Sequence, residues 1–393
     1  MMSKQEFVEK PISVMIISFD WDNLYKYNPE AIETKLIRDG FRTTIDSFFT
    51  ISWSTETYYK KINDNFETYH MKARFRHLRP LYDVLLLFKL LFILERFKVR
   101  PDIVIAYDFP NAASLLLAKL FYKFKTVLFV TNLPTQLIKT RKKVILRNLY
   151  QRVSEFFAKF VTDYVFCINE TTKEYVHKIG IPDTKIRVFV SNTIKQDKHI
   201  IETTKKGVYR NILCLSSDKK MLISVGRLEP EKGMEELIDA FIKINDDRLV
   251  LCIAGEGFLK QKLENKIKEK KFDKKIFLLG HLKKKQLWSL YTDADLFILL
   301  SKSEALGLVF WEAMYMSVPV IGSRVGGIIE NIGANEERGF YWQPGDSLEQ
   351  LKDRINELLF LEYKKLDKER LLHDARQYVI EKIENISTMN SML

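Results

Sequence analysis

Residues 221–233 read MLISVGRLEPEKG, an apolar run followed by a glycine and a group of charged side chains. The apolar run over 221–225 predicts a buried strand, and Gly226 lets a ligand approach the backbone closely. Arg227 and Lys232 then fall between this strand and the start of the next helix, whose amino terminus carries partial positive charge. Two cations at such a place suit a diphosphate, because arginine binds it through two parallel hydrogen bonds and lysine acts as a point charge.

A second cluster spans residues 301–314, reads SKSEALGLVFWEAM and follows a predicted strand at 296–300. Glu304 falls in the loop after that strand, and Glu312 falls in the second turn of the following helix. Gly307 lies near the helix start, where backbone N–H groups have no partner within the helix and can bind an anion. A carboxylate beside a phosphate site is suited to accepting hydrogen bonds from sugar or ribose hydroxyls.

Each cluster also has a simpler interpretation. In the first, Arg227 pairs with Glu229 or Glu231 on a solvated turn. In the second, one glutamate complements the helix dipole and the other is an ordinary surface residue. Local chemistry alone does not decide between these interpretations and a ligand site, so the choice depends on the rest of the chain.

Apolar, β-branched runs alternate with helical patterns along both halves of the chain. This alternation is typical of parallel sheets with crossover helices. We therefore predict an α/β protein with two doubly wound, Rossmann-like domains facing a central cleft, because open parallel sheets bind ligands beyond the carboxyl ends of their strands. The predicted strands span residues 12–19, 103–107, 126–131, 164–168 and 187–191 in the first half, and 221–225, 249–253, 276–279, 296–300 and 318–321 in the second.

The composition is that of a globular protein with a basic first half. The chain has 393 residues, of which 46% are hydrophobic, and a net charge of +12. Residues 1–200 hold 32 basic and 21 acidic side chains, which predicts an anionic partner for that half. Three cysteines without CxxC spacing predict buried thiols in a reducing compartment. No secretory signal is visible at the amino terminus, so we expect a cytoplasmic location.

The two clusters belong to a longer series of motifs. The series comprises VGRLEPEKG (225–233), AGEG (254–257), LGHL (279–282), ADLFILLSKSEALGLVFWEAM (294–314) and PVIGSRVGGIIE (319–330). Its order and spacing resemble those of the family 4 glycosyltransferases, which are retaining enzymes of the GT-B fold. The resemblance implies a hexosyltransferase whose donor substrate is a nucleotide diphosphate sugar and which needs no cofactor and no metal.

The resemblance also implies a role for each site residue. Arg227 and Lys232 should hold the diphosphate of the donor and stabilise its charge during catalysis. Glu304 should contact hydroxyls of the donor sugar and lie closest to the reacting centre, whereas Glu312 should bind the ribose. The backbone of Leu306, Gly307, Leu308 and Val309 should meet the diphosphate or the sugar, and Leu282 should lie near the base.

The resemblance gives a role to each half of the chain. We assign residues 1–195 to an amino-terminal domain on the acceptor side and residues 221–375 to a carboxyl-terminal domain that binds the nucleotide sugar. The alternation breaks in the polar stretch 196–220, which we predict to be the linker. Residues 376–393 are predicted to form a helix that packs back on the first domain.

The first half departs from the family pattern. Family members often have a Gly-Gly loop after the first strand, where this chain has FDWDNL with Asp20. They often have histidines where Tyr107 and Asn132 stand here. The family's contact to the sugar 6-hydroxyl and its mode of acceptor binding therefore cannot be carried over. Asn132 still offers a hydrogen-bond donor, so we predict an active enzyme with Asp20 and Asn132 on the acceptor side.

Two Asp-x-Asp triplets, Asp20–Asp22 and Asp293–Asp295, suggest a different kind of site. In the other large glycosyltransferase fold, such a pair holds Mg²⁺ or Mn²⁺ on the diphosphate. We reject this interpretation because Asp295 precedes a strand, at the wrong end for the cleft. Two cations also already serve the diphosphate, so a metal is not required there.

Basic stretches at residues 72–79 and 139–159 interleave cations with apolar side chains. Such surfaces bind anionic membranes, so we expect a membrane glycolipid or a lipid-linked saccharide as acceptor and a peripheral location on the cytoplasmic face of a membrane. The simpler alternative is that the apolar residues pack inward and the cations only keep the protein soluble.

Two other classes of function remain open from the sequence. One is a protein that binds or modifies nucleic acid, since basic stretches with aromatic residues also suit polynucleotides, although nucleic acid is not the partner we expect. The other is a non-catalytic partner that binds a nucleotide sugar for another glycosyltransferase. Hydrolysis or transfer of a donor by the purified chain separates the second of these from an enzyme.

Overall fold

A computed structural model describes residues 12–18, 45–54, 58–63, 66–72, 79–130, 144–188, 193–361 and 365–384. The chain forms two compact units, of which the first lies before residue 192 and the second extends from there to residue 386. Each unit is built on one sheet of mainly parallel strands with crossover helices. This confirms the predicted α/β class with two doubly wound domains.

The first unit contains an eight-stranded sheet and four described helices. Its strands are β1 (Ile12–Ser18), β2 (Ile45–Ser54), β3 (Tyr58–Asn63), β4 (Phe66–Lys72), β5 (Ile103–Tyr107), β6 (Lys125–Val130), β7 (Tyr164–Cys167) and β8 (Ile186–Val188). Its helices are α1 (Arg79–Arg96), α2 (Asp108–Phe121), α3 (Val144–Val161) and α4 (Glu170–Lys178). The strand order is β3-β4-β2-β1-β5-β6-β7-β8, and only the edge strand β3 runs antiparallel to its neighbour.

The sequence pattern predicts no strand over residues 45–72, whereas the structure has β2, β3 and β4 there. Phe49 and Ile51 of β2 enter the core at the two-residue spacing of a strand. This alternation covers few residues and is surrounded by aromatic and basic side chains, which explains why the sequence pattern of a strand is weak here. By contrast, β5 buries four consecutive residues because helices cover both faces of a parallel sheet, and its position is predicted correctly.

The second unit contains a six-stranded parallel sheet. Its strands are β9 (Lys220–Val225), β10 (Leu249–Ala254), β11 (Ile276–Gly280), β12 (Leu296–Leu299), β13 (Val320–Gly322) and β14 (Phe340–Tyr341). Its helices are α5 (Thr193–Glu202), α6 (Val208–Ile212), α7 (Met234–Ile244), α8 (Lys260–Glu269), α9 (Lys284–Asp293), α10 (Leu308–Tyr315), α11 (Gly326–Ile332), α12 (Leu348–Leu359) and α13 (Lys365–Glu384). The strand order is β11-β10-β9-β12-β13-β14.

The strand order of the second unit locates its ligand site. From β9 the chain winds outward through β10 to β11, then crosses back to β12 on the other side of β9. The connections that follow β9 and β12 therefore run in opposite directions along the sheet. This is the arrangement in which open parallel sheets form a crevice at the ends of their strands. Ligands of open parallel sheets bind at such a reversal point, outside the carboxyl ends of the strands.

The predicted linker over 196–220 is wrong, because the second unit includes this segment as α5, α6 and the start of β9. The Asp293 carboxylate accepts hydrogen bonds from the backbone amides of Gly207 and Tyr209, the latter at 2.6 Å. Local polarity therefore conceals α6, a helix that is capped by a residue more than eighty positions away.

The carboxyl-terminal helix also differs from the prediction. It is α13, which begins at Lys365 rather than at residue 376. Its Tyr378 packs edge-on against Trp311 of α10 within the second unit, with ring centroids 6.3 Å apart. Residues 385–393, on which the predicted packing against the first domain partly rests, lie outside the described residues.

Two further sequence predictions concern the thiols and the membrane. Cys167 and Cys252 are buried as predicted, and burial raises the pKa of each thiol to about 12. Cys214 is exposed, contrary to prediction, because it occupies a left-handed turn after α6 with φ of 50°. Among the described residues, no helix has the length and apolarity that crossing a bilayer requires.

We predict that Asp293→Ala destabilises the second unit by roughly 2–4 kcal/mol, because it leaves buried backbone amides of α6 without an acceptor. Urea unfolding followed by circular dichroism measures the difference. The matched control is Asp273→Ala, which removes an exposed carboxylate and should change the free energy of unfolding by no more than about 0.5 kcal/mol. Equal stability of the two variants would contradict the capping role.

Candidate functional site

The two loops that flank the reversal point lie against each other through glycine. Gly233, between β9 and α7, has φ of 65°, and a Cβ atom built on it would stand 1.9 Å from the carbonyl oxygen of Leu300. Gly255, after β10, has φ of 154°, and its Cβ would stand 1.8 Å from the carbonyl oxygen of Gly226. Any side chain at either position would push the loops apart, so these glycines fix the close packing of the crevice wall.

This packing brings together two of the predicted residues that lie 72 positions apart in the sequence. The Lys232 ammonium group donates a hydrogen bond of 2.6 Å to Glu304 Oε2. Both side chains are largely shielded, with 17% and 13% of their surface exposed. The backbone holds the carboxylate in place as well, since the Glu304 carbonyl accepts from the amide of Gly327 at 3.0 Å.

Arg227 lies on the exposed rim of the same loop. Its guanidinium pairs with Glu231 at 2.8 Å and keeps 67% of its side-chain surface exposed. This pairing is one of the two that the simpler interpretation of the sequence names. Glu229, the other possible partner, instead accepts a hydrogen bond from the backbone amide of Phe258. An exposed ion pair contributes at most about 1 kcal/mol, so a strongly charged ligand can displace Glu231 from Arg227.

The start of α10 presents backbone amides beside the ion pair. Gly307 adopts φ of 72° directly before this helix and makes no side-chain cap. The buried Asn331 side chain holds the loop by donating to the carbonyl of Leu306 at 2.8 Å and accepting from Trp311 Nε1 at 2.6 Å. The amides of Leu308 and Val309 are in the first turn, where a helix has no internal partners for its N–H groups.

Glu312 lies one turn further along α10 and is half-buried. The hydroxyl of Tyr291, on α9, donates to Glu312 Oε2 at 2.8 Å. Burial raises the pKa of the Glu312 carboxyl, the Tyr291 hydrogen bond opposes this shift, and the charges of Asp197 and Lys284 raise and lower it respectively. The resulting pKa is about 7. Burial and the Glu312 charge also raise the pKa of Tyr291.

A second ion pair stands behind this carboxyl. The Lys284 ammonium group lies 2.6 Å and 2.9 Å from the two carboxylate oxygens of Asp197, and Trp288 Nε1 donates to the same carboxylate at 3.2 Å. Asp197, Lys284 and Tyr291 are absent from the predicted site. None of the three belongs to a motif: Asp197 lies on α5, and Lys284 and Tyr291 lie on α9, between two recognised motifs.

Leu282 lies just after β11, at the same carboxyl edge. It is half-buried, and Glu256 fills the space beside the preceding Gly280, whose Cβ would stand 3.0 Å from Glu256 Oε1. The Glu256 carboxylate accepts a hydrogen bond from Lys260 at 2.7 Å, and that bond lowers its pKa. The backbone of His281, next to Leu282, also hydrogen-bonds to the Glu256 carboxylate and so ties this loop to it.

The remaining predicted residues either lie outside the described residues or lie at the opposite edge of the second sheet. Asp20, Asp22 and Asn132 lie outside the described residues. Asp293 and Asp295 lie at the amino-terminal end of β12, where Asp293 caps α6 and Asp295 pairs with Arg210 and accepts from the amide of Met221 at 2.7 Å. Within the described ranges, no group of three or more histidine, cysteine and acidic side chains is arranged to hold a metal ion.

The fold and the edge motifs define the chain as a glycosyltransferase of the GT-B class. The family model described as Glycosyltransferase Family 4 matches residues 32–190, and the model described as Glycosyl transferases group 1 matches residues 206–377. Together the two models cover most of the chain. The chain belongs to the family 4 glycosyltransferases, a family of transferase enzymes.

Named relatives agree with this assignment. An uncharacterized glycosyltransferase of Methanocaldococcus jannaschii is 30% identical over 234 residues, and the match spans 58% of this chain and only 58% of the relative. N-acetyl-alpha-D-glucosaminyl L-malate synthase of Bacillus anthracis is 27% identical over 68% of each chain. The structure of HepE from Anabaena in complex with UDP-glucose superposes with a TM-score of 0.65 at 16% identity, over 97% of each chain, which supports the fold.

We predict that Glu312→Gln changes how stability depends on pH. A buried carboxyl whose pKa is raised to about 7 stabilises the fold below its unfolded pKa and loses that contribution as pH rises through 7. The amide does not titrate but still accepts the Tyr291 hydrogen bond. Relative to the natural chain, the variant should therefore gain roughly 1–3 kcal/mol between pH 5 and pH 8.

Urea unfolding at several pH values measures this gain. Glu349→Gln, which alters an exposed glutamate on α12, is the control and should follow the natural chain at every pH. If the curves of Glu312→Gln and the natural chain run parallel, the carboxyl is not the buried titrating group.

Proposed function

We propose that the chain is a retaining hexosyltransferase that moves a hexose from a nucleotide diphosphate sugar to an acceptor hydroxyl. The observation that supports this most strongly is the shielded Lys232–Glu304 pair beside the amides of Leu308 and Val309. A cation, a carboxylate and open amides in one crevice match the parts of a donor, which are a diphosphate and a hydroxyl-bearing sugar.

In the proposal, the diphosphate takes the place of both glutamate partners. A phosphate oxygen that approaches Lys232 competes with Glu304 for the ammonium group, and Arg227 exchanges its exposed partner Glu231 for a second phosphate. Glu304 is then released to accept hydrogen bonds from sugar hydroxyls. Without the donor, the two glutamates neutralise Lys232 and Arg227. When the donor binds, the diphosphate neutralises these cations instead, which limits the desolvation penalty.

Glu312 suits the ribose because it has a hydrogen-bonding partner but no direct cationic partner among the described residues. Two vicinal hydroxyls can donate to the carboxylate oxygens, and this favours the ionised form. Binding of the donor should therefore release a proton when the pH is below about 7, the value to which burial raises the pKa of Glu312. The loop after β11 contains Leu282 and starts two strands from β9 in the sheet. It is the proposed neighbour of the base.

The proposed chemistry is mainly electrostatic. The bond between the anomeric carbon and the diphosphate oxygen breaks, and the acceptor oxygen forms a bond on the same face of the sugar. The hydroxyl proton of the acceptor passes to an oxygen of the departing phosphate. Lys232, Arg227 and the amides at the start of α10 stabilise the growing negative charge, as preorganised groups do in many enzymes.

The acceptor side rests on the first unit. Asp20 and Asn132 remain the proposed acceptor residues, and the excess of basic residues before residue 200 favours an acceptor at an anionic membrane. A membrane glycolipid or lipid-linked saccharide fits that setting, on the cytoplasmic face. We propose no cofactor beyond the donor, and the two cations supply the charge that a metal would otherwise bring.

We predict that Arg227→Ala and Lys232→Ala each lower kcat/KM by about 100-fold or more, since each cation faces charge that grows in the transition state. Initial rates with the preferred sugar nucleotide measure the loss. The control is Lys262→Ala, which removes an exposed lysine paired with Glu235 on α7, away from the crevice. Melting temperatures of all three variants separate loss of folding from loss of catalysis, and near-normal kcat/KM in both site variants would place the diphosphate elsewhere.

The reaction itself is tested with UDP, GDP and ADP sugars and a panel of lipid and saccharide acceptors. Proton NMR of the first product formed should show the anomeric configuration of the donor, and EDTA should leave the rate within a few-fold of the untreated enzyme. An inverted product, or a strict need for Mg²⁺ or Mn²⁺, would overturn the proposed mechanism. A chain that binds donors but neither transfers nor hydrolyses them would instead be the non-catalytic partner.

A further inference from the structure

Large apolar side chains are exposed on one part of the first unit. Among the described residues, nine such side chains are exposed, and six of the nine belong to three consecutive helices. Of these six, Leu120 and Phe121 are the most exposed, with 76% and 69% of their surface in solvent. The six residues are Phe92 on α1, Leu120 and Phe121 on α2, and Val153, Phe156 and Phe160 on α3.

The topology of the sheet brings these six residues to one surface. The helices α1, α2 and α3 connect β4 to β5, β5 to β6 and β6 to β7, always in the same direction along the sheet. Right-handed crossovers therefore place all three helices on the same side, parallel to one another, and α2 packs against both of the others. Each exposed residue lies in the second half of its helix, so the six cluster toward one end of the layer. We call this surface the α1–α3 face.

The apolar residues of this face are not part of the core. On α3, Ala158 and Val161 point inward and are buried, whereas Phe156 and Phe160 point outward. The two outward rings contact each other edge-on, with centroids 5.1 Å apart. A phenylalanine side chain gains roughly 1.5–3 kcal/mol from full burial, so a cluster of them left in water indicates a surface that binds a partner.

The charge around the face points to an anionic partner. Residues 79–130 and 144–163 hold eleven basic and six acidic side chains. Two ion pairs, Glu95 with Arg100 and Asp163 with Lys119, take up two of each sign, which leaves nine basic and four acidic side chains. The exposed basic residues include Lys89 within α1, and Arg96, Lys98 and Lys123 at or just after the ends of α1 and α2.

We infer that the α1–α3 face docks on the surface of an anionic lipid bilayer. Aromatic rings and leucine enter the boundary between head groups and acyl chains, while lysine and arginine reach the lipid phosphates along their flexible stems. A bilayer surface suits this helical layer better than a pocket-forming partner, because all six apolar side chains project from one side. The inference deepens the proposed function and rests on it for the membrane acceptor, but it does not depend on the donor site.

The inference also revises the predicted membrane contact. The predicted contact comprises the basic stretches 72–79 and 139–159, of which 73–78 and 139–143 lie outside the described residues. The structure adds α1 and α2, whose apolar side chains the charge pattern does not reveal. Phe92, Leu120 and Phe121 lie in neither stretch.

The test is co-sedimentation of the full chain with vesicles of phosphatidylcholine, with and without phosphatidylglycerol. The natural chain should bind the anionic vesicles far more strongly than the neutral ones, and less strongly as salt rises. Phe156→Ser/Phe160→Ser should lower the partition coefficient on anionic vesicles at least tenfold. Leu120→Ser/Phe121→Ser, on the neighbouring helix, should do the same and serves as an independent variant if the first one folds poorly.

The matched control is Ile212→Ser, which removes an exposed apolar side chain from α6 in the second unit and should bind vesicles like the natural chain. Equal binding of the natural chain to both vesicle types, or equal losses in Ile212→Ser, would overturn the inference. So would a dimer in sedimentation velocity that both face variants dissociate while vesicles remain unbound. Salt-sensitive binding to a polynucleotide without vesicle binding would also overturn it.

Thermal shift with a sugar nucleotide separates this inference from the proposed function. Both face variants should retain the donor-induced shift of the natural chain, because their substitutions lie in the first unit. Vesicle binding without any donor binding would leave the docking face standing and count against the transferase proposal. Donor binding and transfer without vesicle binding would support the transferase proposal and overturn the docking face.

Discussion

The contact between the backbone at Gly233 and the carbonyl of Leu300 is the constraint on which the candidate site depends. A Cβ atom at Gly233 would stand 1.9 Å from that oxygen, so the loop after β9 can lie against the loop after β12 only with glycine there. This contact places the neighbouring Lys232 within hydrogen-bond distance of Glu304, with the amides at the start of α10 beside the pair. The absence of a side chain at Gly233 thus allows the charges of Lys232 and Glu304 to meet in the crevice.

The electrostatics of the site follow from how each carboxyl is partnered. Glu304 has a direct cationic partner in Lys232, whereas Glu312 is half-buried, accepts a hydrogen bond from a tyrosine hydroxyl, and has its pKa raised to about 7. The first arrangement favours exchange of a carboxylate for a phosphate on the same lysine. The second favours a ligand that brings hydroxyl donors, because these stabilise the charged form of a desolvated carboxyl. Two glutamates on one short stretch of chain are in this way suited to different parts of one ligand.

Much of this organisation is readable from the sequence, and the exceptions have physical reasons. The buried strands of parallel sheets are continuous apolar runs, so β5 and β9 are located correctly, and the motifs around Lys232 and Glu304 identify the family. Their pairing follows from neighbouring parallel strands rather than from any local pattern. By contrast, α6 depends on a cap from Asp293, and Tyr291 meets Glu312 through the packing of two helices, so neither leaves a local signal.

The most direct test of the account is hydrogen–deuterium exchange of the full chain, with and without the sugar nucleotide that binds best in a panel of UDP, GDP and ADP sugars. The account predicts slower exchange of the backbone amides in residues 226–233 and 304–312, where the loops after β9 and β12 form the crevice. Exchange over β5 and β6 in the first unit should change little. Saturating donor that leaves both loops unprotected, or that protects only the first unit, would contradict the proposed site.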